Sequence, residues 1–376
     1  MAGPESFVSL SPEHRLFLNE ISSFSLNELR PLREELPPGE FIPKAVDSLI
    51  DAGLPGLLVD EEHGGCGGDE LCMVIALEEM GAVDSGLAGA LAFHYLCCIA
   101  IAANNAHGLF NPTLMDLSRG NALGALALTE PAAGSNPAEI ACSASKRRDI
   151  WLINGNKCFV CNVDTVDETY ILAMAREIPN QALTCFLIPY PCKGVSPIHR
   201  YIYMGWDTIR SWAMVLSDCQ VPEHFLVGER GCGLEVLSPA ICRGRLAIAS
   251  GALGLARSCY DLSLAYGRER RQFSMPITYF QSVSFHLADM ALRIEACRTT
   301  LWKVASSSET PPDKVDMLYL YCGESAEFCA STALEIHGGL GYTMEGPTAR
   351  LYRDVKGFRL ALGTPDITRL CIAGAI

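Results

Sequence analysis

The segment Glu335 to Asp366, EIHGGLGYTMEGPTARLYRDVKGFRLALGTPD, is the stretch from which the rest of this 376-residue chain can be placed. Its Gly338-Gly339-x-Gly341 run lets the backbone approach a bulky ligand closely, because glycine has no Cβ to clash and tolerates positive φ. Taken alone, such a run also reads as a loop between two helices. What precedes it, and in what order, decides between the two.

Immediately upstream the pattern is helical. Val283, Leu287, Met290, Ile294, Cys297 and Leu301 recur at helical spacing, as do Leu246, Ala249, Leu253, Ala256 and Tyr260. Two long amphipathic helices predict a C-terminal bundle over residues 227–376. Ser306 to Asp313 (SSSETPPD) reads as a linker to a further helix starting near Met317. Between residues 122 and 226 the runs are short and apolar, separated by Gly, Asn, Pro and Asp, which predicts a compact, barrel-like β domain. Residues 1–121 read as helical again, with Ile42, Val46, Leu49 and Ile50 on one helix that Gly53 and Pro55 end. Gly86 to Ala103 is uncharged and long enough for a marginal membrane span. Its Ala, Gly and Cys content and His94 favour a buried core helix instead.

The length predicts two or three domains. With 49% hydrophobic and 19% charged residues the chain reads as globular. A net charge of -14 argues against nucleic acid and anionic membranes as partners, since both select for Lys and Arg. The seventeen cysteines are scattered and odd in number, and no signal sequence precedes them. They read as reduced thiols of a cytoplasmic protein. Cys158 and Cys161 form an isolated CxxC, and a structural zinc site needs four ligands, so no metal is expected there.

Three further segments carry a resemblance: LALTEPAAGSN at 126–136, INGNKCFVCN at 153–162, and RERRQFSMPITYFQSVSFHLADM at 268–290. Together with the HGGLG segment, and in this order, they resemble the acyl-CoA dehydrogenase flavoproteins, from about Leu29 to the end. The resemblance implies an α+β fold in three parts: an N-terminal helical domain, a middle β domain and a C-terminal four-helix bundle. It also implies FAD and a homodimer or homotetramer. By resemblance Leu128, Thr129, Gly134 and Ser135 contact the flavin pyrimidine ring and ribityl chain. Phe159 and Cys161 take positions usually held by Trp and Thr or Ser, where a thiol is a weaker donor than a hydroxyl. Arg270 falls to the pyrophosphate, which its planar fork suits. Phe273 and Gln281 fall near the adenosine, and Thr364 and Asp366 match cofactor positions after the active-site loop. Glu335, where the family usually has Gln, with Gly338 and Gly339, is expected to cover the same FAD from a neighbouring subunit.

The family's catalytic glutamate falls on Leu362, and its less common alternative on Gly244, just before Arg245. No catalytic base is therefore identified, and Arg245 and Leu362 remain as substrate-site positions. Glu345 and Asp366 match structural and cofactor positions rather than a replacement base. A positioned base is worth about 10² to 10⁴ in rate. Three readings follow. The first is oxidation of a hydroxyacyl or aminoacyl thioester, on CoA or on an acyl carrier protein of polyketide or peptide biosynthesis. Lys146-Arg147-Arg148 is then the available dock for an acidic carrier, and an electron-transfer partner or oxygen takes the electrons. The second is an oxygen-using flavin monooxygenase, and the third a non-catalytic FAD-binding subunit.

Overall fold

Helix starts in this chain follow from proline and side-chain caps. The computed structural model describes residues 9–307 and 311–375; of the expected linker, residues 308–310 lie outside them. Ser11 caps α1 (Pro12–Phe24), a turn of π-helix leads to α2 (Arg30–Glu35), and α3 follows (Pro38–Asp51). Asp69 and Asp84 accept from backbone N–H groups at the starts of α4 (Glu70–Val83) and α5 (Ser85–Ala103), and α6 (Asn111–Ser118) completes this part. Helix α5 is the uncharged run, and 72% of its most apolar window is buried inside the fold. It therefore packs as a core helix.

The strands are β1 (Ala122–Ala127), β2 (Ser143–Arg147), β3 (Ile150–Cys161), β4 (Glu168–Ile178), β5 (Leu183–Tyr190), β6 (Val195–Arg200), β7 (Ser211–Pro222) and β8 (Leu226–Val227). They form one mixed sheet of eight strands in the order β6-β7-β3-β2-β4-β5-β8, with β1 parallel to β4. The pairing path ends at β6 and β8, so among the described residues the sheet is an open path rather than a ring of paired strands.

Helix α7 (Gly233–Glu269) runs for 37 residues, and a short hairpin, β9 (Arg271–Gln272) and β10 (Met275–Pro276), separates it from α8 (Gln281–Ala305). Helices α9 (Pro312–His337), α10 (Pro347–Leu360) and α11 (Pro365–Ala375) follow. Helix α9 starts a turn and a half before the expected Met317, because Pro312 at its first position has no N–H to lose.

Two apolar cores result, one among the helices and one between the sheet and α5, α6 and the start of α7. Buried polar contacts join the three parts. Asp84 accepts from Arg33 (2.7 Å), from Leu87 N–H (2.8 Å) and from the Thr208 hydroxyl, and lies 3.6 Å from Arg350. Trp206 donates its backbone N–H to Asp354 (2.7 Å). Its indole lies so close to Gly89 and Gly357 that an added Cβ would fall 3.0 and 2.4 Å from ring atoms. Glycine at those two helix positions is thus a packing requirement. The seventeen cysteines are free thiols, ten buried and only Cys66 and Cys371 exposed.

Candidate functional site

A buried ion pair builds the loop after β1. Lys157 of β3 reaches Glu130 (2.7 Å), the Met174 carbonyl (2.7 Å) and the Leu128 carbonyl (3.4 Å), with its side chain only 1% exposed. Glu130 in turn accepts from the N–H groups of Ala141 (2.8 Å) and Cys142 (3.0 Å). Cys158 N–H donates to the Thr129 carbonyl at 2.8 Å. Leu128 and Thr129 are thereby fastened beside the β3 segment that carries Phe159 and Cys161. Gly134 and Ser135, farther along the loop, are exposed. Sequence reading missed Lys157 and Glu130, although a Lys with period-2 burial in a strand is a detectable anomaly.

Phe159 has φ +58, a left-handed backbone rare for an aromatic residue, and stays half-exposed with its ring 4.5 Å from that of Tyr201. Cys161 is buried, which pushes its thiol up to about 12, so it stays protonated at neutral pH. Its Sγ lies 3.6 Å from the Phe159 carbonyl, a protein acceptor for the weak S–H donor.

Leu362 and Gly244 meet. A Cβ on Gly244 would lie 2.8 Å from Leu362 Cδ1 and 2.7 Å from Leu96 Cδ1. The two positions expected by resemblance to hold a carboxylate thus converge on one apolar contact, at the seam where Leu362 packs against both cores. Leu362 has φ +61, and the loop holding it is anchored through three consecutive carbonyls. The Tyr319 hydroxyl donates to Ala361 O (2.5 Å) and lies 2.9 Å from Gly363 O, and Arg245 Nε donates to Leu362 O (3.0 Å). Arg245 is also paired with the buried Asp316 at 2.5 Å. Its guanidinium thus serves the loop. Among the described residues the Leu362 N–H has no acceptor, which leaves it free to donate to a substrate carbonyl. Asp316 went unnoticed in the sequence because it lies on the early turn of α9 that precedes the expected start, and Tyr319 because a Tyr within a helix carries no signal of its own.

The carboxylates near this loop in sequence point elsewhere. Asp366 is 92% exposed and pairs with Arg369, Glu345 is exposed, and the Thr364 hydroxyl accepts from Ile367 N–H at the start of α11.

A separate cleft of about 540 Å³ is lined by Tyr266, Arg270, Gln272, His337, Gly338 and Gly339, among others. The rings of Tyr266 and His337 stack at 4.4 Å, which sets the ends of α7 and α9 side by side. The Arg270 and HGGLG segments thus face one cleft within a single chain. Gly338 has φ +60, and a Cβ there or on Gly339 would meet nothing within 4 Å, so the backbone borders open space. The Arg270 guanidinium has no acceptor among the described residues, which suits it to an anion. Phe273 sits at the tip of the β9–β10 hairpin, φ +49 and 87% exposed, and Gln281 and Glu335 are exposed and do not line the cleft. None of the positions around Leu128, Phe159 or Leu362 lines it either.

Three family models match in sequence order: the acyl-CoA dehydrogenase N-terminal domain over residues 11–107, the middle domain over 125–219 and the C-terminal domain over 231–376. A probable acyl-CoA dehydrogenase of Bacillus subtilis is 31% identical, covering 97% of this chain and 98% of the relative. The rat mitochondrial short-chain specific acyl-CoA dehydrogenase is 30% identical over 98% of this chain and 90% of its own length. Among solved structures, butyryl-CoA dehydrogenase from Megasphaera elsdenii superimposes with a TM-score of 0.90 at 29% identity, covering 98% and 99% of the two chains. A prolyl acyl carrier protein oxidase does so with a TM-score of 0.88 at 26% identity over 98% and 99%. Family models that match most of its length, and a relative 31% identical over 97% of it, show that this chain belongs to the acyl-CoA dehydrogenase family.

Proposed function

We propose that this protein is an FAD-dependent oxidoreductase that oxidises an acyl thioester at a carbon bearing a hydroxyl or amino group, without a carboxylate base. The contact between Leu362 and Gly244 carries this reading. Removing a weakly acidic C–H proton needs a base within hydrogen-bond reach. A substrate O–H or N–H loses its proton to water far more easily. When bound, FAD supplies the hydride acceptor. The residues present fit it: Arg270 and the open Gly338-Gly339 backbone offer an anion cleft, and Phe159 offers an exposed aromatic face.

This chain's own contribution is to bind and orient. The free Leu362 N–H donates to the thioester carbonyl, and the Arg245 and Tyr319 contacts hold that N–H still. The apolar Leu362 and Leu96 side chains exclude water from the α carbon. The likeness to a prolyl acyl carrier protein oxidase supports a carrier-bound aminoacyl substrate and a place in polyketide or peptide biosynthesis. Of the Lys146–Arg148 cluster, Lys146 is paired with Glu223, so Arg147 and Arg148 make up the dock. We place the FAD where two copies of a homodimer or homotetramer meet, since the flavin-side positions do not line the Arg270 cleft.

The test is an anaerobic titration of the purified yellow protein with butyryl-CoA, a 2-hydroxyacyl thioester and an aminoacyl thioester. Bleaching of the flavin by the latter two but not by butyryl-CoA is expected. Brisk bleaching by butyryl-CoA overturns the reading. No bleaching by any of them, with turnover only beside a flavin reductase, favours the monooxygenase.

A further inference from the structure

The first turns of α1 and α4 bring three unlike donor atoms together, far in sequence and outside the site described above. His14 Nε2 lies 2.9 Å from Asp69 Oδ2, and the Cys72 thiol joins them so that all three ligand atoms lie within 4.8 Å of one another. In the ordinary reading these are a surface His–Asp pair and a helix cap. Two features go beyond it. Asp69 keeps its other oxygen on the cap, accepting from Cys72 N–H at 2.9 Å, so the carboxylate is held with Oδ2 turned to the histidine. The other ring nitrogen of His14, Nδ1, is 2.9 Å from Ser11 Oγ, the kind of outer partner that orients a ligating imidazole.

We propose that His14, Asp69 and Cys72 bind one zinc-class divalent cation that clips α1 to α4. Nitrogen, carboxylate and thiolate together select a borderline-soft ion such as Zn²⁺ over Mg²⁺ or Ca²⁺, which take oxygen ligands. Zinc bonds of about 2.0 to 2.3 Å set edges of roughly 3.3 to 3.7 Å, so the 2.9 Å His14–Asp69 edge opens slightly and the sulfur settles within that range. The side chains have room for this, since His14 and Asp69 are 22% and 55% exposed. Water fills the fourth position. The His14 proton moves to Nδ1, facing Ser11, and Cys72 gives up its thiol proton to solvent as the metal–sulfur bond forms.

The experiment equilibrates the FAD-loaded full-length protein with zinc chloride, removes excess by gel filtration and measures zinc per chain and melting temperature. One zinc per chain and a raised melting temperature are expected for the wild type. Cys72→Ser and His14→Ala should each lose both effects while keeping the flavin spectrum, and Glu62→Gln, in a second cluster formed by Asp60, Glu62 and His63, should change neither. Cobalt(II) in place of zinc should give a sulfur-to-metal charge-transfer band that Cys72→Ser removes. Absence of stoichiometric zinc in the wild type, or its retention by both ligand variants, overturns the site.

Discussion

In the function proposed above, Leu362 sets the chemistry and its neighbour Gly244 limits what can be restored. Leu362→Glu places a carboxylate where the backbone N–H is already free, so weak butyryl-CoA dehydrogenation should appear, measured as flavin bleaching. The gain is limited because an apolar surrounding raises a glutamate pKa. Gly244→Glu alone should fail. Its Cβ would fall 2.8 Å from Leu362 Cδ1 and 2.7 Å from Leu96 Cδ1, and such overpacking costs about 1–3 kcal/mol. Combining it with Leu362→Gly removes one clash and should recover some of both stability and activity. Equal activity in the two single variants would show that the contact is not what separates the positions. That neither Leu362 nor Gly244 carries a carboxylate was legible in the sequence. That they touch each other was not, because residues 118 apart are brought together only by the loop that Arg245 and Tyr319 anchor.

At the scale of elements, the loop after β1 depends on a strand two removed from it in the sequence. Lys157→Met leaves Glu130 charged and buried without its partner, which should cost about 3–5 kcal/mol and show as a lower denaturation midpoint and lower FAD occupancy. Replacing both members, Lys157→Met with Glu130→Leu, should not restore stability as it does for simple buried pairs. Ala141 N–H, Cys142 N–H and the Met174 carbonyl would then all be left without acceptor or donor. Full recovery in the double variant would mean those groups find other partners. The uncharged run located α5, and periodicity located α7 and α8. It did not show that β1 and β2 both run parallel to β4, since strand order depends on pairings distant in sequence. The start of α9 was misplaced for a local reason, the proline read as a breaker where it serves as a first helical residue.

Over the whole molecule, two buried groups set opposing responses to acid. His94 accepts from Gly124 N–H at Nδ1 (3.0 Å), lies 2.9 Å from the Pro55 carbonyl at Nε2, and burial lowers it to about 4. Its stabilising contribution is complete above the ordinary histidine value of about 6.5 and fades as pH falls toward 4. Asp354 is raised by burial to about 6, so the folded state holds its proton more tightly and stability rises as pH falls from 6 toward the ordinary aspartate range. Each amounts to about 3 kcal/mol, and between pH 4 and 6 they nearly cancel. Asp354→Asn should expose the His94 slope, giving a variant whose urea midpoint drops more steeply than the wild type's over that range. Parallel profiles would remove Asp354 from the account. The three-part plan was legible from composition and motif order, whereas Asp84 and Trp206, which join the parts, carry no local signature. The scattered thiols have a consequence of another kind. Cys97 and Cys98 lie in α5, Cys185 and Cys219 in the sheet, and Cys297, Cys322 and Cys329 in the bundle, all buried, while Cys66 and Cys371 face solvent. An alkylating reagent should tag the two exposed thiols at once and the others only as their own region opens, so peptide-resolved labelling would time the loosening of each part within a single sample.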